Sequence, residues 1–153
     1  MMLRGYRSTD SGLLAGPWLP GELLGLPLAD RPALAEPTTI RPPADYNEEL
    51  GIATGVGFVR YAEVDWVHRR ARVEIGLHAE QTGNAEVLLK TAVDYAFTAL
   101  ALRRLHGWVT PALGQGTELL GTAGFRRETS VPQAIWFDGR PVAREIWGVV
   151  RHG

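Results

Sequence analysis

The chain has 153 residues, 45% of them hydrophobic, and a chain of this length can bury about two-thirds of its unfolded surface in one core. Its 16 Lys and Arg against 17 Asp and Glu give a net charge of -1, which supplies no overall attraction to nucleic acid or to an anionic membrane. The absence of cysteine excludes disulfides, thiolate nucleophiles and thiolate metal ligands, and the four histidines lack helical ligand spacing, so we expect no metal.

The start of the chain carries no basic-then-apolar signal pattern. No apolar run approaches the roughly 20 residues that are needed to span a bilayer. We therefore expect a cytoplasmic protein without a membrane or nucleic-acid partner.

The N-terminal third is rich in proline, since seven of the ten prolines precede residue 44. Proline removes a backbone donor and interrupts helices, so any helix in this part should be short. We predict a first strand at residues 3–6, followed by two short helices near residues 9–15 and 20–26.

Segments with the composition of strands begin near residue 49. They cover residues 50–54, 56–64 and 70–78, with a turn at Gly55 between the first two, and in the third Val73, Ile75 and Leu77 alternate with Arg72, Glu74 and Gly76. This period of two is typical of half-buried strands, and short turns between them predict an antiparallel meander.

A polar turn at residues 81–84 opens directly into a strongly patterned helix. The apolar positions of that helix are Ala85, Leu88, Leu89, Ala92, Val93, Ala96, Phe97 and Leu100. They follow the spacing of one helical face, and we expect Thr82 or Asn84 to cap the first turn. A strand that feeds a glycine-containing turn and a helix is a common anion-binding arrangement, because the first helical N–H groups lack partners.

The last third returns to strands. We predict a strand at residues 105–109, a short helix that starts at Glu118 and ends at Gly124, and a strand at residues 134–137. The Asp138-Gly139 pair then predicts a tight hairpin turn into a strand at residues 142–150.

Taken in order, several segments resemble the GNAT acyltransferase superfamily from about residue 50 to residue 151. They are Val56-Gly-Phe-Val-Arg-Tyr-Ala-Glu-Val, Arg72-Val-Glu-Ile-Gly-Leu, Asp94-Tyr-Ala-Phe, Ala123-Gly-Phe-Arg-Arg-Glu and Trp147-Gly-Val-Val-Arg. The resemblance implies an α/β (α+β) fold with a twisted, mainly antiparallel sheet, splayed at its centre, and helices on both faces. It also implies one domain over residues 1–153, with an abbreviated acceptor-side part at 1–48 and a core at 49–153.

In activity, the resemblance implies an enzyme that moves an acyl group from a pantetheine thioester to a primary amine of a small molecule or peptide. Acetyl-CoA or another acyl-CoA would lie in the splay between the strands at residues 70–78 and 105–109, with its pyrophosphate on the turn before the long helix. The implied donor-binding residues are Ile75, Gly76, Leu77, His78, Gln81, Thr82, Gly83, Asn84 and Ala85.

The chain departs from the family pattern at three positions on the donor side. Glu80 opens the phosphate turn where a cation or an amide is expected, Leu113 stands where the family often has Asn, and Leu120 replaces a frequent Tyr acid. One alternative is a donor carried on the phosphopantetheine arm of an acidic acyl carrier protein, which would dock on basic side chains. The candidate docking residues are Arg69, Arg70, Arg103 and Arg104. A second alternative is a catalytically inactive GNAT-fold binding module, and a homodimer is left open.

Amide formation requires a neutral amine, whereas an alkylammonium of pKa near 10.4 is only about one part in 10³ neutral at pH 7. A carboxylate that acts through water can accept the proton. Glu74 is the first candidate for this base, because it lies on a central strand; the structural alternative is an ion pair with a nearby Arg. Asp65, together with Glu63, could orient a cationic acceptor, and the structural alternative for Asp65 is a turn.

Four further side chains have both a functional and a structural interpretation. His78 and His106 could accept a proton near pH 7, but a single histidine on a strand is more often a hydrogen-bonded structural residue. Trp136 and Trp147, on the C-terminal hairpin, could line an acceptor pocket, although most tryptophans belong to a core.

Overall fold

The computed structural model describes residues 1–16, 18–25, 38–39, 41–114 and 117–152. The strands of this part are β1 Arg4–Gly5, β2 Ala15–Gly16, β3 Leu24–Gly25, β4 Thr38–Thr39, β5 Glu49–Ala53, β6 Gly57–Asp65, β7 Arg70–Leu77, β8 Arg104–Val109, β9 Arg126–Phe137 and β10 Arg140–Val150. The α-helices are α1 Ala85–Thr98 and α2 Glu118–Thr122, and short 3₁₀ helices cover Ser8–Leu14, Ala79–Asn84 and Pro111–Leu113.

One twisted sheet carries the fold, with the strand order β1-β5-β6-β7-β8-β10-β9. Every neighbouring pair in this order is antiparallel except β7 and β8, which run parallel. The short β3 also pairs in parallel with β7, outside this order. The mixed, mainly antiparallel sheet implied by the sequence is therefore confirmed.

Helix α1 covers one face of the sheet, where the apolar positions of β6, β7 and β8 point. Leu88 and Leu89 of the helix are fully buried in the same cluster as Val73, Ile75 and Leu105. Complete burial of a leucine side chain contributes about 1.5–3 kcal/mol, so this face supplies much of the folding free energy.

The opposite face of β5 and β6 is covered by the N-terminal segment. Trp18 packs edge-on against Phe58, with ring centroids 4.8 Å apart, in a second buried cluster that includes Leu14 and Ile52. Because residues alternate across a strand, Phe58 faces this cluster while Val59 faces α1.

The structure corrects the prediction for the N-terminal helices. Residues 9–15 correspond to the 3₁₀ helix Ser8–Leu14, and the predicted helix at 20–26 is instead a turn followed by β3, with Leu26 outside the described residues. Gly21 adopts a φ of +87°, a conformation that a helix does not use. The backbone of Leu23 finds its partners on two distant strands rather than within a helix.

Helix α1 begins at Ala85, as the apolar pattern predicts, and ends at Thr98. Asn84 occupies the capping position, but its side chain does not cap the helix. The Asn84 amide donates instead to Oε1 of Gln81 at 2.7 Å. The capping position is therefore confirmed, and the expected capping hydrogen bond is not formed.

The C-terminal hairpin of β9 and β10 is longer than predicted. The Asp138-Gly139 turn is confirmed, with φ of +50° and +76°, and it joins β9 to β10. However, β9 begins at Arg126 rather than near residue 134. Its first residues are exposed on both faces, so no apolar alternation marks them in the sequence.

The ion pair of Arg4 and Asp10 should make stability depend on pH. Two hydrogen bonds of 2.7 Å join the side chains, and Arg4, followed by the backbone N–H of Arg7, lowers the pKa of Asp10 to about 2. A lowered folded-state pKa contributes stability that is present above the unfolded pKa of about 3.9 and is lost as pH falls toward 2. We expect Asp10→Asn to flatten the fall of the urea midpoint between pH 5 and pH 2.5, and Asp94→Asn, at an exposed position of α1, to leave that fall unchanged.

Candidate functional site

Strands β7 and β8 diverge at the centre of the sheet. They pair only at their starts, where Arg70, Ala71 and Arg72 lie opposite Arg104, Leu105 and His106 in a parallel ladder. Beyond this point β8 continues to pair with β10, and β7 continues to pair with β6. This divergence is the central splay that the resemblance implies.

The splay is filled by the chain itself. In β3, Leu24 lies opposite Ile75, and Gly25 lies opposite Gly76. The carbonyl of Leu23 accepts the Ile75 N–H at 3.0 Å, and the Leu23 N–H donates to the Trp108 carbonyl at 2.8 Å. Backbone groups that were expected to bind a pantetheine arm are therefore already hydrogen-bonded to residues 23–25.

The filling segment fits its neighbours closely. Leu23 is fully buried, and a Cβ added to Gly107 of β8 would lie 2.6 Å from a methyl carbon of Leu23. A Cβ added to Gly25 would lie 2.6 Å from the Leu19 carbonyl oxygen and 3.0 Å from that of Ile75. Two glycines thus provide the space in which this segment enters the sheet.

Glu74 is buried on the face of β7 opposite α1 and has two partners. Its carboxylate forms an ion pair with Arg72, and its Oε2 accepts the Gly21 N–H at 3.2 Å. The structural alternative considered from the sequence, an ion pair with a nearby arginine, is therefore present. The role of Glu74 as a base stays a prediction.

Arg72 links Glu74 to a second carboxylate. Its Nε lies 3.5 Å from Oε2 of Glu63. Glu63 follows Ala62 at a β-bulge in β6 and adopts a φ of +53°, which turns its exposed side chain away from the regular strand. A row of alternating charges therefore runs along this face of the sheet from β6 to the splay.

Asp65 organises the turn between β6 and β7. Its carboxylate accepts the backbone N–H groups of Val67 and His68, at 3.1 and 2.9 Å, and contacts Nδ1 of His68 at 2.9 Å. The hydrogen bonds from His68 hold the pKa of Asp65 below its usual range. Asp65 pairs with Arg70, and Arg70 lies four residues, or about 13 Å, along β7 from Glu74. The structure therefore does not bring the two candidate catalytic carboxylates together.

A cluster that the sequence analysis missed holds the filling segment at its other end. Oε1 of Glu22 accepts the Thr110 hydroxyl at 2.7 Å and Nη2 of Arg144 at 2.9 Å. Arg144 also donates to the Gly21 carbonyl at 3.1 Å and stacks 4.7 Å over the Trp108 ring. Glu22 is the sole charged residue in the apolar run at 18–28, which is the one sequence signal that could have indicated it.

The predicted phosphate turn is the 3₁₀ helix Ala79–Asn84. A Cβ added to Gly83 would have no atom within 4 Å, and Thr82 and Glu80 are exposed. The Gln81 side chain accepts its hydrogen bond from Asn84. The turn is thus open to solvent, and phosphate binding there stays a prediction.

The remaining donor-side candidates belong to the packing of β7. Leu77 is fully buried in the main core, and a Cβ on Gly76 would meet the Phe58 ring at 2.3 Å. The half-buried His78 donates its backbone N–H to Val56 and lies 5.8 Å from the Trp18 ring. Leu120, at the family's tyrosine position, is fully buried in the core and carries no hydroxyl.

A cavity of about 440 Å³ lies beside the charged row, where β7 and β8 begin. Its lining residues are Glu63, Asp65, Arg70, Arg104, His106, Glu128, Thr129 and Ile146. Arg104 and Glu128 form a bidentate ion pair across it. Burial, followed by the nearby Arg104, lowers the pKa of His106, which favours its neutral form.

The two hairpin tryptophans do not form a common pocket. Trp136 is 73% exposed near the hairpin tip, opposite Pro141. Trp147 lies further along the hairpin on β10 and packs against the main core. It is six residues beyond Pro141, and this spacing of about 20 Å along the strand separates the two rings.

The described ranges contain neither a metal cluster nor a membrane-spanning helix. Among those residues, no group of three or more His, Asp or Glu could hold a metal ion. None of the helices described there is long and apolar enough to cross a membrane.

Comparison with known proteins gives relatives of one kind. The spermidine N(1)-acetyltransferase of Vibrio cholerae is 29% identical over 87 residues, which make up 56% of this chain and 50% of that protein. The N-acetyltransferase YoaA of Bacillus subtilis, which is uncharacterized, is 26% identical over 117 residues, or 69% of this chain and 66% of YoaA. The chain thus spans half to two-thirds of the length of these relatives. No protein-family model matches.

Solved structures agree with the fold. A crystal structure of the spermidine/spermine N-acetyltransferase SpeG from Vibrio cholerae, determined with manganese ions, superposes with a TM-score of 0.72, at 20% identity over 97% of this chain and 91% of that chain. A chimera of the same spermidine N-acetyltransferase with hSSAT gives a TM-score of 0.64, at 25% identity over 69% of each chain. The similarity therefore extends over nearly the whole described fold.

Proposed function

Because this chain belongs to the GNAT superfamily of acyltransferases, we propose that it transfers an acyl group from a pantetheine thioester to a primary amine. The observation that carries the proposal is the sequence similarity to N-acetyltransferases together with a splayed central sheet. The proposed unit is one domain over residues 1–153, in which residues 49–153 form the core and residues 1–48 the acceptor side.

The proposed acceptor is a small, cationic primary amine. Both the similar Vibrio cholerae protein and the superposed structure carry spermidine in their names. The cavity beside β7 and β8 supports this proposal because Glu63 and Asp65 place carboxylates at its rim, where they can attract an ammonium group. A peptide amine is the second acceptor class.

The proposed donor is acetyl-CoA, as is expected for an N-acetyltransferase. None of the relatives supports a carrier protein as donor. The conformation described here does not accommodate a pantetheine arm between β7 and β8, because residues 23–25 occupy that position.

The residues of this chain would contribute mainly by positioning the amine and accepting its proton. Glu74 is the proposed proton acceptor, acting directly or through a water, and Arg72 holds its carboxylate in place. No residue is required to protonate the leaving group, because a thiol of pKa near 8.5 departs as a thiolate. The loss of the tyrosine at Leu120 is therefore compatible with turnover.

The direct test is an acetyl-transfer assay with the purified protein. Acetyl-CoA would be supplied with spermidine, spermine, free lysine and a peptide with an unblocked N-terminus, and acetylated products would be identified by mass spectrometry. We expect acetylation of the polyamines and little of the peptide. If no amine is acetylated although CoA binds, the proposal is wrong.

A non-catalytic module is the second candidate function. It is favoured by the filled splay and by the leucines at positions 113 and 120. Calorimetric titration with acetyl-CoA and with pantetheine separates the two candidates. Failure of both ligands to bind would support the module.

A further inference from the structure

Residues 21–25, which we call the strap, occupy the position that a donor arm needs in the splay. We propose that the strap is an autoinhibitory segment that must leave the splay before a pantetheine thioester can enter. The inference rests on the proposed function, since it concerns the same groove. It predicts that strap release and CoA binding are one coupled equilibrium.

The strap makes the type of contact that a bound peptide-like arm would make. Leu23 accepts a hydrogen bond from Ile75 of β7 and donates one to Trp108 of β8, so it bridges both strands. A pantetheine arm carries two amides and could replace these backbone partners. Arm and strap therefore compete for the same donors and acceptors.

The strap is held in the central sheet by a ladder of two residue pairs. It pairs with β7 at only two positions, Leu24 with Ile75 and Gly25 with Gly76. By contrast, β6 pairs with β7 at positions from Gly57 to Asp65. A short ladder between turns opens at a lower free energy than the strands around it.

The contacts of Glu22 with Thr110 and Arg144, which we call the latch, leave one carboxylate oxygen without a hydrogen bond. Oε1 of Glu22 bonds to Thr110 and Arg144, whereas the buried Oε2 has no hydrogen-bond partner in the described part of the chain. An unpaired carboxylate oxygen is costly to bury. Solvation of this oxygen on release would offset part of the contacts that are lost.

Release would also change the candidate base. In the closed state the Gly21 N–H occupies Oε2 of Glu74 at 3.2 Å. When the strap leaves, this oxygen becomes available while Arg72 still holds Oε1. Opening of the donor groove and exposure of a proton acceptor are thus linked in one movement.

Hydrogen exchange of the unmodified protein, followed by NMR, tests the strap directly. The probe is the Leu23 amide, which bonds to Trp108, and the reference is the buried Leu102 amide, which bonds to Ala96 in the last turn of α1. Without ligand we expect Leu23 to exchange at least about tenfold faster than Leu102, through opening that does not unfold the core. Equal rates would show that the strap opens only on global unfolding and would overturn the proposal.

The second measurement repeats the exchange experiment with saturating CoA. We expect the Leu23 amide to lose its protection while Leu102 keeps its own. If CoA binds by calorimetry and Leu23 stays protected, the strap inference is wrong, although the proposed function survives. If CoA binds neither the wild type nor Glu22→Gln, the strap inference and the proposed CoA-dependent activity both fail.

The latch variant is Glu22→Gln, which removes the charge that Arg144 and Thr110 contact. The apparent affinity for CoA rises in proportion to the fraction of molecules in which the strap is released. Because Glu22→Gln replaces a charge-assisted hydrogen bond by a weaker neutral one, we expect its Kd for CoA to be about fivefold lower than that of the wild type. The control is Asp94→Asn, which removes an exposed carboxylate of α1 on the other face of the sheet. An unchanged Kd in Glu22→Gln, or an equal decrease in both variants, would contradict the latch.

Discussion

Gly57→Ala is expected to lower the free energy of unfolding by more than about 3 kcal/mol. A Cβ at position 57 would lie 2.0 Å from the carbonyl oxygen of Gly76 and 3.0 Å from Cα of Leu77. Both atoms belong to the backbone of β7, so the overlap cannot be relieved by rotation of a side chain. Relief requires separation of β6 from β7, the pair on which the central sheet is built.

A second glycine provides the control. Gly83 has no atom within 4 Å of an added Cβ, and its φ is not positive. We expect Gly83→Ala to change the free energy of unfolding by less than about 1 kcal/mol. Urea denaturation of the two variants, followed by circular dichroism, measures the difference. Similar midpoints for Gly57→Ala and Gly83→Ala would contradict the packing described for β6 and β7.

Glu74→Gln is expected to lower kcat for polyamine acetylation at pH 7 by roughly 10²-fold if Glu74 accepts the proton of the amine. Glutamine keeps the shape of the side chain and can still accept the Gly21 N–H, but it cannot take up a proton near pH 7. Activity should recover partly as pH rises toward 9, because a larger fraction of the amine is then neutral. The measurement is the pH profile of kcat for the variant and the wild type.

Asp94→Asn serves as the control for this experiment also, because it removes an exposed carboxylate of α1, on the face of the sheet opposite Glu74. It should keep both the wild-type kcat and the wild-type pH profile. An unchanged kcat in Glu74→Gln would show that Glu74 is not the proton acceptor and that its role is the structural ion pair with Arg72. A lower kcat with an unaltered pH profile would indicate a positioning role.

Local pattern was sufficient for the elements whose faces differ in environment. Alternation predicted the strand around Val73, because Val73 and Ile75 are buried under α1 while Glu74 faces the other side of the sheet. The helix start at Ala85 and the turn at Asp138-Gly139 followed from periodicity and from residues that tolerate positive φ.

The same reasoning failed where environment does not alternate or where partners are distant. β9 begins at Arg126 with exposed residues on both faces, so its sequence carries no period. Residues 20–26 contain Leu23 and Leu24 at a spacing that a helix could also use. The partners of Leu23, which are Ile75 and Trp108, lie more than 50 and 80 residues away along the chain.

The candidate site shows the same division. The sequence indicated Glu74 on a central strand and anticipated an arginine partner, because a charged residue between Val73 and Ile75 must face away from the core. It could not indicate that Gly21 bonds to that carboxylate, or that Glu22, Thr110 and Arg144 meet, because these contacts join segments without a shared local pattern.

By itself, then, the sequence determined the order of strands and helices in the core, the buried face of α1 and the strand that carries the candidate base. These properties depend on periodicity, turn chemistry and side-chain burial, which act over a few residues. Only the tertiary structure decided that residues 21–25 close the splay. That outcome depends on backbone hydrogen-bonding groups left unpaired where β7 and β8 diverge, and a segment more than 50 residues away along the chain satisfies them.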